Sequence, residues 1–186
     1  MTVAVQALTD EQIDQLIEKA GGRDAVLRVI SGELALRLEA PASIGSALSV
    51  PAGLAFEDRV ARGDYGWRNP DLTEQRFPVT DAQVGEKALE IFHFRRSLSS
   101  EDAIREIRAA GFEPAETGDI LAFGEAFPEA QRRHPVVGLG SVVEIDGKLS
   151  VPVLWFDGEE RTLDLIWYDG DWHRNYRFLG VRRGAG

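Results

Sequence analysis

Three histidines are the side chains best suited to acid–base or metal chemistry in this sequence, which contains no cysteine. His173 follows Asp171 by two positions, and Asp171 follows Asp169 by two. Alternating acids and a histidine near a turn can converge on a metal ion, so these three residues form a weak candidate metal site. A solvated Asp-Gly turn accounts for the same residues, and we expect no bound metal.

His93 and His173 are the two candidates for a catalytic general base. A base must lie within ~3 Å of the proton that it takes, and neither histidine is part of a nucleophile motif. The Gly-x-Ser-x-Gly, His-Glu-x-x-His and Gly-x-x-x-x-Gly-Lys patterns are absent from the sequence. A buried, hydrogen-bonded histidine is the commoner role for His93, which is flanked by two phenylalanines, so we assign no catalytic residue and expect no cofactor.

Aromatic residues are concentrated between residues 155 and 176, and an arginine lies among them. A sheet face that exposed these side chains would bind a small ligand or another protein. The candidate binding residues are Trp155, Trp167, Trp172, Arg174 and Tyr176. The alternative is a sheet with two buried faces that residues 40–84 cover.

The composition is that of a folded acidic protein. The chain has 186 residues, of which 44% are hydrophobic and 28% charged, and its formal net charge is −10. The acidic excess is spread along the chain, which disfavours nucleic acid and anionic membranes as partners. The lack of cysteine excludes disulfides and thiolate metal sites. We expect a cytoplasmic location, because neither a signal-peptide pattern nor ~18 consecutive apolar residues occur.

The hydrophobic pattern predicts the elements that must position these residues. Thr9 and Gln12 form a capping box before a helix that ends at Gly21, and a second short helix follows, to Gly32. In residues 33–38 a leucine occupies every second position, which is typical of a strand with one apolar face. Prolines and glycines interrupt residues 40–84, which we expect to wrap the protein through four aromatic anchors. The anchors are Phe56, Tyr65, Trp67 and Phe77.

Regular structure is predicted again after residue 84. Residues 87–94 are apolar on both faces and predict a central strand. Ser99 or Ser100 caps a helix that Gly111 ends, and residues 119–127 allow a further helical turn before Pro128.

Three Asp-Gly pairs predict tight hairpins at the C-terminal end. They are Asp146-Gly147, Asp157-Gly158 and Asp169-Gly170, and their even spacing predicts a four-stranded antiparallel meander. With a glycine bulge in the first turn, Val143 would lie opposite Leu149. One buried face would then be shared by Leu149, Val151, Val153, Trp155, Leu163 and Leu165.

Short motifs are scattered along the chain. They are Leu8-Thr9-x-Glu11-Gln12-Ile13, Gly32-Glu33-Leu34, Ala109-Ala110-Gly111-Phe112, Pro114-Ala115-Glu116-x-Gly118 and Arg177-Phe178-Leu179-Gly180-Val181-Arg182. On these residues the chain resembles a family of uncharacterised bacterial proteins that is frequent in small uncultivated bacteria. The resemblance covers most of the chain except residues 40–84. It implies an α+β build with a β-rich end, and it brings no activity and no catalytic residues.

These patterns predict an α+β protein in which N-terminal helices pack on mixed β structure and a four-stranded antiparallel meander follows. We divide the chain into two parts of one compact unit. Residues 1–84 contain the helical pair, the strand and the irregular segment, and residues 85–186 contain a strand, a helix and the meander. A non-catalytic binding or protein-interaction module is the expected function. The alternative is a small hydrolase-like enzyme that uses a histidine–carboxylate pair beneath a lid of residues 40–84. An open meander edge would also permit a homo-oligomer.

Overall fold

A single mixed β-sheet organises residues 47–183, which are the residues described by the computed structural model. Nine strands and four α-helices occur in this range, so the described part of the chain is α+β as predicted. The helices are α1 (Phe56–Arg62), α2 (Ser100–Ala109), α3 (Thr117–Ala126) and α4 (Pro128–Arg133), and a short 3-10 helix spans Asp81–Gln83. The helical pair and the strand predicted before residue 40 lie outside the described residues.

The strands are not arranged in chain order. They are β1 (Ala47–Val50), β2 (Trp67–Arg68), β3 (Gly85–Phe92), β4 (Glu113–Pro114), β5 (Val136–Val137), β6 (Val143–Ile145), β7 (Lys148–Phe156), β8 (Arg161–Trp167) and β9 (Arg177–Arg183). Their order across the sheet is β1-β3-β9-β5-β7-β8-β2, with β4 beside β9 and β6 beside β7. The two-residue strand β5 pairs in parallel with β9 and antiparallel with β7, and so joins the two halves of the sheet.

Both faces of the sheet are buried against helices. On the first face, α1 and α3 contribute Phe56 and Phe123 to a core cluster that includes Leu163 of β8. On the second face, α2 contributes Ile107 to a cluster that includes Val153 of β7. Strands buried on both sides show continuous apolar runs instead of alternation, and β7 has such a run from Val151 to Leu154. β3 instead alternates between buried Lys87 and Leu89 and exposed Glu86 and Ala88.

Residues 47–84 are more regular than the sequence predicted, since they hold β1, α1, β2 and the 3-10 helix. Of the four aromatic anchors, Phe56 and Phe77 are buried in the first-face cluster, Tyr65 is half-buried and Trp67 is 42% exposed. The segment therefore forms part of the sheet and of its first-face core. The segment was predicted to be irregular because β1 and β2 become strands only by pairing with β3 and β8, which are distant in the sequence.

The helix predicted after Ser99 is confirmed as α2, and the Ser99 hydroxyl accepts a hydrogen bond of 3.1 Å from the Asp102 amide. The helical turn predicted before Pro128 is the ten-residue helix α3. Pro128 then begins α4, because proline is well tolerated in the first turn of a helix. In residues 47–183 every helix is too short or too polar to cross a bilayer.

The C-terminal meander contains three strands, and the prediction of a fourth was wrong. β6, β7 and β8 are successive antiparallel neighbours, but β9 pairs with β3, β4 and β5. Between β8 and β9 the chain buries Trp172, which is 4% exposed, in the second-face cluster. Burial of this large side chain directs the chain away from β8, so the Asp-Gly pair at residues 169–170 closes no hairpin.

The first hairpin has a tighter turn than predicted. Asp146 and Gly147 have φ angles of 49° and 77°, and this pair of positive values matches a two-residue turn without a bulge. Leu149 consequently lies opposite Glu144 and not opposite Val143.

The second hairpin also differs from the prediction, which placed Leu163 and Leu165 on the same face as Val151 and Val153. Leu163 lies opposite Leu154, so Leu163 and Leu165 belong to the first face. Val151 and Val153 belong to the second face. The predicted common face was wrong, because a shift of one residue exchanges the two faces of a strand. The apolar pattern could not detect this shift, since β7 is apolar on both faces.

Candidate functional site

The β7–β8 hairpin carries Trp155 and Trp167 at opposite ends and on opposite faces. Trp155 alternates with Val153 and so lies on the second face, whereas Trp167 alternates with Leu165 on the first face. Trp167 is 63% exposed, and the Lys148 ammonium lies 3.8 Å from the centroid of its ring. The structure therefore does not bring these two predicted binding residues together.

A cleft of about 170 Å³ opens on the second face beside Trp155. We call it the aromatic cleft, and its lining residues are Pro135, Val153, Trp155, Asp164, Leu165, Ile166 and Tyr176. Trp155 is 37% exposed, and Tyr176 is half-buried. Two of the five binding residues predicted from the sequence thus line one depression.

Trp172 is a core residue that holds Tyr176 in place. Its indole N–H donates a hydrogen bond of 2.8 Å to the Ser100 hydroxyl, which donates in turn to the Tyr168 carbonyl oxygen at 2.6 Å. The Trp172 and Tyr176 rings meet edge to face, with centroids 5.1 Å apart. Trp172 is therefore not part of the exposed surface that the sequence predicted, because its polar N–H has found a partner inside the protein.

Asp164 supplies the charged group of the aromatic cleft. Its Oδ1 atom accepts a hydrogen bond of 2.8 Å from the Asn69 side-chain amide and one of 2.7 Å from the Leu165 amide. Asn69 is itself fixed, because its backbone N–H donates to the Leu163 carbonyl oxygen at 2.9 Å. The carboxylate is thus a preorganised acceptor that an N–H or O–H group in the cleft could reach.

His93 lies just beyond β3 and is half-buried, whereas the sequence predicted a buried position inside the strand. Its Nε2 atom is 2.9 Å from the carbonyl oxygen of Arg174, which is exposed. Because a carbonyl oxygen can only accept, Nε2 carries the proton and donates it, which leaves Nδ1 free. Partial burial lowers the pKa of His93, and the Arg177 and Arg95 guanidinium groups lower it further, while the hydrogen bond to the carbonyl opposes them.

The weak metal candidates are not gathered into a site. Asp169, Asp171 and His173 are all exposed on the connection between β8 and β9. Throughout the described residues there is no group of three or more histidine or acidic side chains placed to hold a metal ion. These residues fit the solvated turn that was the alternative interpretation.

The geometry gives no support to the hydrolase alternative. Among the ion pairs of the described residues, none involves His93, His134 or His173. The apolar residues of segment 47–84 join the first-face cluster and are missing from the second-face cluster, beside which the aromatic cleft opens. These apolar residues pack beneath the first face, and the segment reaches the cleft through the Asn69 side chain, which donates to Asp164.

A buried ion pair that the sequence did not predict joins Lys87 of β3 to Asp119 of α3. The Lys87 ammonium donates to Asp119 Oδ1 at 2.5 Å, and the two side chains are 3% and 0% exposed. Asp119 Oδ2 also accepts from the Glu116 amide at 3.0 Å, which completes the capping box of α3. A groove of about 610 Å³ runs beside Lys87. The sequence signal was a lysine at an inward position of β3, two residues before the buried Leu89.

Arg161 is a second buried cation that the sequence did not predict. Its guanidinium donates to the carbonyl oxygens of Gly63 and Gly124, both at 2.6 Å, and to Gln131 Oε1 at 2.9 Å. It thereby ties β8 to α3, α4 and the residue after α1. A depression of about 570 Å³ lies beside it and beside Tyr65. Because all three acceptors are uncharged groups of the protein, we interpret Arg161 as a structural residue that holds these elements together.

The aromatic cleft is the best candidate for binding, although the other two depressions are larger. Their walls carry charged side chains that are already paired within the protein, such as Arg108 with Glu113 and Arg62 with Glu125. Apolar walls with one fixed polar group are typical of a binding site, and the aromatic cleft has them. No family model, curated protein or solved structure matches this chain.

Proposed function

We propose that the protein is a non-catalytic interaction module that holds one aromatic side chain of a partner protein in the aromatic cleft. The observation that carries this proposal is the pair Trp155 and Tyr176, which line a single cleft with apolar walls. Aromatic anchors of this kind, set in a pocket on one partner, supply most of the affinity of many protein interfaces.

The size of the cleft favours a side chain over a whole small molecule. Pockets for small molecules and cofactors usually enclose ~300–1,000 Å³, whereas the aromatic cleft measures about 170 Å³. A space of this size suits one anchoring side chain. The rest of the partner would then lie across the surrounding surface.

Asp164 favours an anchor that carries a hydrogen-bond donor. Its carboxylate is fixed by Asn69 and by the Leu165 amide, so little reorganisation is needed when a donor approaches. Tryptophan and tyrosine combine a large apolar ring with an N–H or O–H group. The proposed anchor is therefore a tryptophan or a tyrosine.

An NMR titration with N-acetyl-tryptophanamide tests the proposal. We expect the amide resonances of Val153, Ile166 and Tyr176 to shift in a saturable way. Trp155→Ala should abolish these shifts, because it removes one wall of the cleft. N-acetyl-leucinamide should bind more weakly, because it cannot donate to Asp164 from an aromatic ring.

Trp167→Ala is the matched control, since Trp167 is the more exposed tryptophan and lies on the other face. It should leave the titration unchanged. If both alanine variants had the same effect, or if the three resonances did not move, the cleft would not be the binding site. The cytoplasmic location and the homo-oligomer expected from the sequence stay predictions, and the second is checked by measuring mass against concentration.

A further inference from the structure

Two arginines and two histidines converge where β3 ends and β5 and β9 begin. Phe92 lies opposite Phe178 in the antiparallel pair β3–β9, so the next position places His93 opposite Arg177. Arg177 is also the parallel partner of Val136, and its amide donates to the Pro135 carbonyl oxygen at 2.9 Å. His134 immediately precedes that proline. Strand pairing alone therefore brings His93, His134 and Arg177 to one end of the sheet.

Arg95 completes the group, which we call the strand-end cluster: His93, Arg95, His134 and Arg177. Arg95 is exposed, and its φ of 57° holds it in the left-handed region two residues after His93. Arginine adopts this conformation rarely, since its Cβ crowds the backbone there. A backbone strained in this way often marks a functional position.

Within residues 47–183, no carboxylate forms an ion pair with the strand-end cluster, whereas the adjacent Arg96 pairs with Glu106. Besides burial, the Arg177 and Arg95 guanidinium groups lower the pKa of His93, and Arg177, His93 and Arg133 lower the pKa of His134. All of them are cationic or become so on protonation. A group of this kind is notable in a protein whose net charge is −10.

From this convergence we infer a second binding site, independent of the aromatic cleft, at which the strand-end cluster binds a phosphate group. A phosphate dianion offers acceptors in several directions, which suits donors that arrive from three strand ends. Arginine favours phosphate because its planar fork can donate two parallel hydrogen bonds. In Arg177, Nη1 already donates to the carbonyl oxygens of Asn175 and Tyr176 at 3.0 and 3.2 Å, so the fork formed by Nε and Nη2 is the one that would bind. His93 can contribute a donor as well, since its Nε2 proton is held by the Arg174 carbonyl and Nδ1 gains a donor proton on protonation.

The site should bind more tightly as the pH falls. Burial and the neighbouring cations lower the pKa of His93 and of His134 below the ordinary value of 6.5, so both are largely neutral at pH 7. A bound phosphate would stabilise their protonated forms and raise both pKa values. By linkage, protonation then strengthens phosphate binding.

An NMR titration of the histidine ring protons tests the site, with inorganic phosphate and O-phosphoserine as probes at constant ionic strength. We expect saturable shifts of the His93 and His134 resonances and a raised pKa for both rings. Because phosphate probes themselves take up a proton at about pH 6–7, the pH dependence is measured with sulfate, which stays a dianion and should bind more tightly at pH 6 than at pH 7.5. Tighter binding of O-phosphoserine would identify a phosphorylated organic ligand, and tighter binding of inorganic phosphate would identify free phosphate. Either result supports the site.

Arg95→Asn and Arg96→Gln form a matched pair of variants. Asparagine tolerates the left-handed conformation, so Arg95→Asn removes a charge while keeping the fold. It should weaken phosphate binding about fivefold, which is the effect of one exposed ion pair. Arg96→Gln should change it little, because Glu106 already engages Arg96. The inference is overturned if chloride at the same ionic strength reproduces the shifts, if no saturation occurs, or if the two variants weaken binding equally.

Discussion

Gly124 and the hydroxyl of Tyr65 compete for the same space in the first-face core. A Cβ atom added to Gly124 would overlap that hydroxyl and would lie 3.0 Å from Tyr65 Cζ and 3.3 Å from Leu154 Cδ1. The hydroxyl is buried and has no hydrogen-bond partner among the described residues. We therefore expect the substitutions Tyr65→Phe and Gly124→Ala to be strongly coupled.

Tyr65→Phe should stabilise the protein by about 1 kcal/mol. A buried polar group without a partner costs ~1–3 kcal/mol, and part of the gain is lost through repacking. Burial raises the pKa of the Tyr65 hydroxyl, in accord with its removal from water. The ring would keep its contact with the Arg161 guanidinium, whose central carbon lies 5.1 Å from the ring centroid. The substitution thus removes the oxygen and little else.

Gly124→Ala should destabilise the native protein by about 1 kcal/mol. Overpacking a core costs ~1–3 kcal/mol, and alanine recovers ~1 kcal/mol over glycine within helix α3. In the Tyr65→Phe background the overlap with the hydroxyl is removed and the close contacts with the ring carbon Cζ and with Leu154 Cδ1 remain, so the same substitution should be close to neutral. The expected coupling energy is about 1 kcal/mol, within the usual range for residues in contact.

Urea unfolding of the four proteins in this cycle measures the coupling from the midpoints at constant m. Tyr168→Phe is the matched control, because the Tyr168 hydroxyl has a hydrogen bond with Glu101 and its removal should not stabilise the fold. A coupling energy below about 0.5 kcal/mol would refute the steric argument. Destabilisation by Tyr65→Phe alone would show that the hydroxyl has a partner.

Three further predictions concern the remaining polar groups. Lys87→Met should destabilise the protein by about 3–5 kcal/mol, because it leaves the Asp119 carboxylate buried without its cation; a urea midpoint near that of the native protein would contradict this. Trp172→Phe should cost about 1 kcal/mol through loss of the hydrogen bond to Ser100 and should also weaken N-acetyl-tryptophanamide binding; an unchanged affinity would show that Trp172 does not position the cleft. Lowering the pH below 6.5 should reduce the free energy of unfolding, because the folded state holds the pKa of His93 and of His134 below that value and the unfolded chain binds protons first. Unfolding curves of a variant with both histidines changed to glutamine should depend less on pH. An unaltered pH dependence would exclude the two histidines as its source.

Local signals in the sequence predicted local structure well. The serine cap and apolar spacing of α2 lie within residues 99–111, so the pattern contains all the information that this helix needs. The hairpin at Asp146-Gly147 was likewise predicted from neighbouring residues, although its two-residue turn lacks the glycine bulge that was expected. Both features depend on contacts between near neighbours in the chain.

Long-range pairing could not be predicted in the same way. The sequence offered no means of knowing that β9 would lie between β3 and β5, because each is compatible with several partners. The strand-end cluster depends on that pairing, so His134 and Arg177 were not identified as neighbours of His93. Trp155 and Tyr176 were chosen for their residue type alone, and the crossing of residues 168–176 over the sheet brought them to one cleft.

The position of β9 has a consequence for the order in which the sheet can form. β9 pairs with β3, β4 and β5, and it follows all three in the chain. During synthesis, the edges of β3 and β4 that pair with β9 therefore have no strand partner until residue 183 has left the ribosome. β7 and β8 can form their hairpin before that point. The half of the sheet around β9 closes late, and pairings so distant in sequence are slow to form. Until then its exposed edges are open to association with other chains.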